Sequence, residues 1–369
     1  PAYNWKMRKT FLVLFVLLFG SLFLLTPYAH AQNTDELLEG TVTKILLEKY
    51  TTVENQKQVY QNLEILITKG SIKGKSVKVV QGEIPSVNPQ VYEVGDKLVL
   101  QTFQDLDGNT IYNIADYQRR NELFILFVIF TTLTIVIGGI WGVTSLLGMA
   151  FSFLVIFKFI LPQIMSGTDP VLVAIEGAML IIPVTFYLSH GFNVKTHVSI
   201  IGTLITLIVV GLLSTYFVNL TRLSGFSSEE AGFLQSEVGS LINMKGLLLA
   251  GIIISSLGIL DDITISQASI VKELREANTN LKFKDLLVRG MKVGKDHIAS
   301  LVNTLVLVYA GSSLPLLLLF ISNPKPFEQV INLEIIAEEI VKTLVGSIGL
   351  ILAVPITTLI AAFYFAKKK

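Results

Sequence analysis

Asp261 and Asp262 are the adjacent residues of this chain best suited to chemistry, because no other charge lies between Gly246 and Val271. With about 1.5 Å of rise per helical residue, Asp261 would lie about 22 Å from the start of this apolar run and about 15 Å from its end. A charged side chain at that depth in hydrocarbon costs about 2.5 to 3.5 kcal/mol even on lenient scales. Such a residue is therefore treated as a functional site.

Two carboxylates this close in a low dielectric are not expected both to be ionised. One of them would hold a proton near neutral pH, which is what a proton-driven transporter needs at mid-membrane. The alternative is a structural role, in which a protonated pair forms hydrogen bonds across a helix bundle.

The two aspartates cannot share one helix face, because successive residues are turned by about 100°. Asp262 falls on a stripe of small residues, whereas Asp261 lies among apolar ones. Small residues let helices approach closely in lipid. We therefore expect Asp262 to face a neighbouring helix closely and Asp261 to face a second helix or a wet cavity. The predicted packing stripe consists of Gly251, Ser255, Gly258 and Ser266.

Two polar residues in other apolar runs are candidate partners. Asn303 lies about one turn inside the next run, and Glu176 lies in an earlier run, where it is a candidate for a second residue of the proton path. Other chemistry is not predicted. The chain has no cysteine, and its four histidines lack ligand spacing, so we expect no metal site. Without a nucleophile–base set or a phosphate loop, we expect no cofactor and no enzyme.

The composition is that of an integral membrane protein. Hydrophobic residues make up 51% of the 369 residues and charged residues only 15%, against a usual charged fraction of about 25%. The net charge of +1 argues against a nucleic-acid partner, which would require a basic surface. The lipid bilayer is the predicted partner.

Seven apolar runs follow Arg120, each long enough to cross about 30 Å of hydrocarbon. Basic residues outnumber acidic ones at 272–297 and close the chain at 367–369. By the positive-inside rule, both segments are cytoplasmic in a bacterial plasma membrane. We expect 272–297 to lie on the inner membrane face as an amphipathic helix. The predicted spans are 123–141, 144–161, 171–189, 198–218, 246–271, 299–321 and 340–366.

The first part of the chain predicts two further segments. Residues 1–31 read either as a signal peptide or as an uncleaved transmembrane helix, since a basic stretch precedes an apolar run and a small-residue site. Residues 32–120 are polar, with β-branched alternation. They predict about five strands in a small, exported, OB-like all-β domain that would be extracellular. The fold class is thus an α-helical polytopic membrane bundle, 121–369, with an all-β domain inserted after the first hydrophobic segment.

Several motifs resemble those of the YibE/F family of multi-pass membrane proteins. They are Gly-Phe-Asn-Val-Lys-Thr at 191–196, Leu-Ser-Gly-Phe-Ser-Ser-Glu-Glu-Ala at 223–231, Gly-Ile-Ile-Ile-Ser-Ser-Leu-Gly at 251–258, Asn303-Thr304, and Ala-Gly-Ser-Ser-Leu-Pro at 310–315. The resemblance implies the same order of parts: one hydrophobic segment, a small exported domain and about seven helices. Family members often carry a single acidic residue where this chain has Asp261 and Asp262.

The last third of the chain, about residues 246–366, also resembles RND exporters and SecD-type translocon subunits. The shared features are a Gly-rich approach to Asp261 and Asp262 and a charged segment at 272–276. This resemblance implies that proton movement through the aspartates drives work on the outer face. We therefore expect a transporter or export factor for a small molecule or an envelope protein. The rival function is a non-transporting scaffold or receptor whose β domain binds an envelope partner.

Overall fold

The computed structural model describes residues 36–53, 56–83, 90–104, 110–322 and 326–367. These residues belong to two compact units, one ending at Leu133 and the other beginning at Thr134. The N-terminal segment predicted at 1–31 lies outside the described residues.

The first unit contains an antiparallel sheet of five strands in the order β3-β2-β1-β4-β5, with β3 and β5 approaching each other at its two edges. Every second residue of its strands points into the core. Leu63 and Ile65 on one strand and Leu98 and Leu100 on another are buried in this way. The strands are β1 Leu37–Val53, β2 Gln56–Lys69, β3 Ser76–Gln81, β4 Lys97–Gln104 and β5 Thr110–Tyr117. The predicted OB-like all-β domain is confirmed.

The β1–β2 pair extends beyond the rest of the sheet. β1 pairs with β4 only as far as Thr41, and β2 pairs with β3 only from Gln61 onward, whereas β1 and β2 stay paired to Val53 and Gln56. The end of this pair is therefore a two-stranded ribbon. Its β1 strand exposes large apolar side chains, with Tyr50 81% exposed.

The second unit is helical. Its elements, and the first helix that leads into it, are α1 Arg120–Val155, a π-helical turn Ile156–Ile160, α2 Leu161–Met165, α3 Pro170–His190, α4 Val194–Leu220, α5 Glu229–Val238, α6 Met244–Ala277, α7 Phe283–Ser312, α8 Leu314–Ser322, α9 Phe327–Val330 and α10 Glu334–Lys367. Five stretches of the described chain are long and apolar enough to cross a membrane, or six if the bent pair α7 and α8 forms one span. The predicted membrane-helix fold class is confirmed.

The count is lower than the seven predicted runs because the first two lie in one stretch, Arg120–Met165, of 46 residues. At about 1.5 Å per residue this stretch is far longer than the roughly 30 Å of a single crossing. It is broken at Gly139, where φ is 55° and ψ is −134°. A Cβ on Gly142 would lie 2.1 Å from the Thr134 carbonyl oxygen, so the chain passes close to itself at this break.

The segment predicted as a surface amphipathic helix is also different in the structure. Residues 272–277 end α6, and residues 283–297 form the first half of α7, which continues without interruption to Ser312. Leu286 is fully buried in a cluster with Val271 and Phe365. The side of this segment that carries Leu286 therefore packs against the bundle.

The predicted run 299–321 is bent by 71° between α7 and α8. The bend coincides with Pro315, which has no backbone N–H and disfavours a helical conformation at the preceding Leu314. A single straight span is therefore replaced by a broken one.

Small and hydroxyl side chains hold the centre of the bundle together. Those of α4 form one buried stripe that includes Ser199, Gly202, Thr203, Thr206 and Ser214. A Cβ on Gly202 would lie 2.5 Å from Thr357 Oγ1, which shows how closely α4 and α10 approach. This is the packing expected of helices in lipid, where the hydrophobic effect does not drive association.

The glycines of the bundle separate into tightly packed and open positions, and this difference predicts opposite effects of alanine. Gly294→Ala would place a Cβ 2.4 Å from Val354 Cγ1 and 3.1 Å from the Gln267 amide, whereas nothing lies within 4 Å of a Cβ on Gly251. Removing a helical glycine alone favours folding by about 1 kcal/mol. We expect Gly294→Ala to lower the unfolding temperature in detergent and the matched control Gly251→Ala to leave it equal or higher. Equal effects would contradict the packing described.

Candidate functional site

The helix that carries the two aspartates, α6, is the central helix of the bundle and packs against α3, α4, α7 and α10. Its start is fixed by Asn243, whose Oδ1 accepts a hydrogen bond from the Gly246 N–H at 3.0 Å. Such a cap satisfies one of the free N–H groups of the first turn. Since α6 runs from Met244 to Ala277, Asp261 and Asp262 lie near its middle.

The environments of the two aspartates are unequal. Asp262 is exposed, whereas Asp261 is partly buried and its Oδ1 atom is enclosed without a hydrogen-bond partner. An enclosed carboxylate without donors is costly in its charged form. The two neighbouring carboxyl groups therefore differ in access, with Asp261 enclosed and Asp262 open.

The predicted packing stripe faces away from the other described helices. Gly251, Ser255 and Gly258 are exposed, Ser266 is half-buried, and nothing lies within 4 Å of a Cβ on either glycine. The expectation that Asp262 faces a neighbouring helix closely is not met by the described residues. The reason is that α4, α7 and α10 contact the side of α6 that carries Thr264 and Gln267.

A hydrogen-bonded seam begins at Asp261 and leads towards the start of α4. The Thr264 hydroxyl donates to the Asp261 carbonyl at 3.2 Å and lies 2.7 Å from the Thr203 hydroxyl. The Ser199 hydroxyl lies within hydrogen-bond distance of two carbonyls, those of Thr264 at 3.2 Å and Lys195 at 2.8 Å. All three hydroxyl residues are buried, so they couple α6 to α4 at the level of the aspartates.

Gln267 joins α6 to two further helices. Its Nε2 donates to the Gly290 carbonyl of α7 at 2.9 Å and to the Thr358 hydroxyl of α10 at 2.7 Å. This is possible because Gly290 and Gly294 present no side chain at the point of contact. Gln267 is completely buried, and its Oε1 has no partner among the described groups.

The turn between α3 and α4 brings a histidine to the site. Gly191 adopts a φ of 75°, and Asn193 bridges both helix ends, donating from Nδ2 to the His190 carbonyl at 2.7 Å and accepting from the Thr196 N–H at 3.1 Å. His190 thereby ends α3 within electrostatic reach of Asp262 and of Lys195. The motif at 191–196 is thus explained by the construction of this turn.

The other predicted candidates are not at the site. Glu176 lies on the exposed side of α3, and Asn303 is exposed on α7. In the described parts of the chain, no hydrogen bond joins either residue to Asp261 or Asp262. The structure therefore supplies no contact for their predicted roles.

The family description "YibE/F-like protein" matches residues 126–367, more than half of the chain. The chain belongs to the YibE/F family. No curated protein and no solved structure matches it. The family assignment, together with the apolar helices, establishes an integral membrane protein.

In this YibE/F family member, His190, Gln267 and the hydroxyls of Ser199, Thr203 and Thr264 were missed as site residues. One signal was available: polar residues of α4 recur every three or four positions within an otherwise apolar run. His190 had no comparable signal, because it reaches Asp262 only through the turn that ends α3.

The buried hydroxyl pair predicts a strong energetic coupling. Thr264→Val should destabilise the protein by about 1 to 3 kcal/mol, because the buried Thr203 hydroxyl loses its partner, and Thr203→Val should cost less, because the Thr264 hydroxyl keeps its bond to the Asp261 carbonyl. The double variant should cost about as much as Thr264→Val alone. Unfolding in detergent checks this cycle, with Thr215→Val as the control, since the Thr215 hydroxyl is exposed and bonds only within α4. Additive effects would contradict the coupling.

Proposed function

We propose that this protein is a proton-coupled transporter or export factor of the bacterial plasma membrane. The observation that supports it is the enclosed, unpartnered Oδ1 of Asp261 beside the exposed Asp262 on the central helix. In this proposal Asp262 exchanges protons with the open side of α6, and Asp261 holds the proton. His190, within electrostatic reach of Asp262, senses or supplies that charge.

The hydrogen-bonded seam offers a route by which the proton would move helices. Thr264 lies one turn beyond Asp261 and bonds both to its carbonyl and to Thr203 of α4. Because this bond is to the main-chain carbonyl, a change of charge on the Asp261 carboxyl group would act on the contact between α6 and α4 through the backbone of α6. A switch of this kind needs a local charge change and an element that can adopt two arrangements.

The orientation is part of the same proposal. The basic residues of 272–297 favour a cytoplasmic position for the connection between α6 and α7 and for the C-terminus. If the stretch Arg120–Met165, broken at Gly139, crosses the membrane twice, the β domain, residues 32–120, lies on the opposite side and would be extracellular. It would meet an envelope protein or the transported small molecule there.

The proposal predicts a protonated carboxyl group that depends on Asp261. Infrared difference spectra of the purified protein near neutral pH, where ordinary carboxyl groups are ionised, should contain the C=O stretch of a protonated carboxyl, and Asp261→Asn should remove it. The same variant should fail to complement a chromosomal deletion while reaching normal abundance in the membrane. Glu229→Gln, at the exposed start of α5, is the control. A wild-type spectrum without this band, or full complementation by Asp261→Asn, would refute the proton relay.

The second candidate is a scaffold or receptor, favoured by the projecting β1–β2 ribbon. An isolated two-stranded ribbon is marginally stable in water, and this one exposes Leu46, Leu47 and Tyr50 by 44, 48 and 81%. Such a surface fits an envelope protein as partner.

The scaffold function predicts the opposite mutational pattern. Tyr50→Ser should abolish complementation while Asp261→Asn preserves it, because binding would need the ribbon and not the carboxylate. Lys78→Ser, on an exposed position of β3, is the control. Complementation by Tyr50→Ser would count against the scaffold.

A further inference from the structure

A groove of about 330 Å³ lies between the bent pair α7 and α8 and the first half of α10. Its walls are mainly apolar, with Val306, Leu317, Phe320 and Ile340 among them. This volume lies at the lower end of the roughly 300 to 1,000 Å³ typical of small-molecule sites, which are also largely apolar with a few polar groups.

The polar groups of the groove carry an excess of negative charge. Lys342 Nζ lies 3.1 Å from Glu338 Oε1 and 2.8 Å from Glu339 Oε1. The single positive charge of Lys342 is thus shared by two carboxylates, and the three side chains together carry one negative charge in excess. Glu338 is buried and also accepts from the Ser227 hydroxyl, whereas Glu339 lines the groove. Glu339 also accepts from the Ser313 hydroxyl at 3.3 Å, so the excess negative charge is shared by the three ionic groups and borders the groove at Glu339.

The broken helix brings two helix ends to the groove. α7 ends at Ser312, with Tyr309, Ala310 and the following Ser313 lining the groove, and α8 begins at Leu314. The negative dipole end of α7 and the positive dipole end of α8 offset each other at this bend, so the acidic residues supply the excess negative charge. In membrane transporters, discontinuous helices of this type form substrate sites, and their C-terminal ends favour cations.

We propose that this groove binds a lipophilic monocation, with its apolar body against α8 and α10 and its charge facing Glu339. The occupant is a free amphiphile and not a membrane lipid. As the substrate class of a transporter, this inference rests on the proposed function, but binding itself does not require Asp261 or Asp262.

The test uses the purified full chain in phosphatidylcholine nanodiscs and labelled tetraphenylphosphonium as the probe. We expect saturable binding that is at least tenfold weaker in Glu339→Gln and lost in Leu317→Trp, which fills the groove from α8. Glu328→Gln, on the exposed side of α9, is the matched control and should bind as the wild type does. Tetraphenylborate has a similar size and the opposite charge. Its binding should therefore be the same in the wild type, in Glu339→Gln and in Leu317→Trp.

Three results would overturn the proposal: no saturable binding, equal binding of both ions, or unchanged binding in both Glu339→Gln and Leu317→Trp. Loss of probe binding in nanodiscs that contain phosphatidylethanolamine would assign the groove to a lipid amine instead. Asp261→Asn separates the two proposals, because it should retain probe binding. Binding without proton-dependent function would refute the relay and leave the cation site standing.

Discussion

Hydrocarbon offers no hydrogen bonds, so each polar group on α6 must find a partner inside the protein or remain costly. On one side of the helix Thr264 and Gln267 find theirs, in Thr203, the Gly290 carbonyl and Thr358. On the other side Asp262 stays open. This difference determines which side of α6 the neighbouring helices cover, and it places the enclosed Asp261 at the border between the two sides.

Close approach of the backbones makes these partnerships possible. Gln267 reaches the Gly290 carbonyl only because α7 has glycines at two successive turns, Gly290 and Gly294. Gly202 allows a similar approach between α4 and α10, where Thr357 fills the space of a missing side chain, although the Thr357 hydroxyl has no hydrogen-bond partner among the described groups. The bundle thus gives up the packing of larger residues in exchange for close contact between helix backbones, a balance typical of membrane helices.

The elements that depend on local pattern were predictable, and the site was only partly so. The alternation of residues such as Leu63 and Ile65 is enough to identify strands, and long apolar runs are enough to identify membrane helices. The side of α6 that packs could not be read from its own residues, because both sides carry small or polar ones. The packed side of α6 is determined by its partners Thr203 and Thr358, which lie in other helices and are distant from α6 in the sequence. The breaks at Gly139 and Ser313 fall at a glycine and beside Pro315, residue types whose effect on the backbone a hydropathy profile does not contain.

The proposed proton site and the proposed cation groove share one structural element. α7 contacts α6 through Gly290 near its start and lines the groove through Tyr309 near its end, and it is helical throughout. A continuous helix moves as a unit, so a displacement at Gly290 would reach the bend at Ser313, where the chain can change direction. Energetic coupling between two sites requires an element whose arrangement both sites bias. In this bundle α7, with the break at its end, is the helix that contacts α6 and also lines the groove, so it is where such coupling would have to be sought.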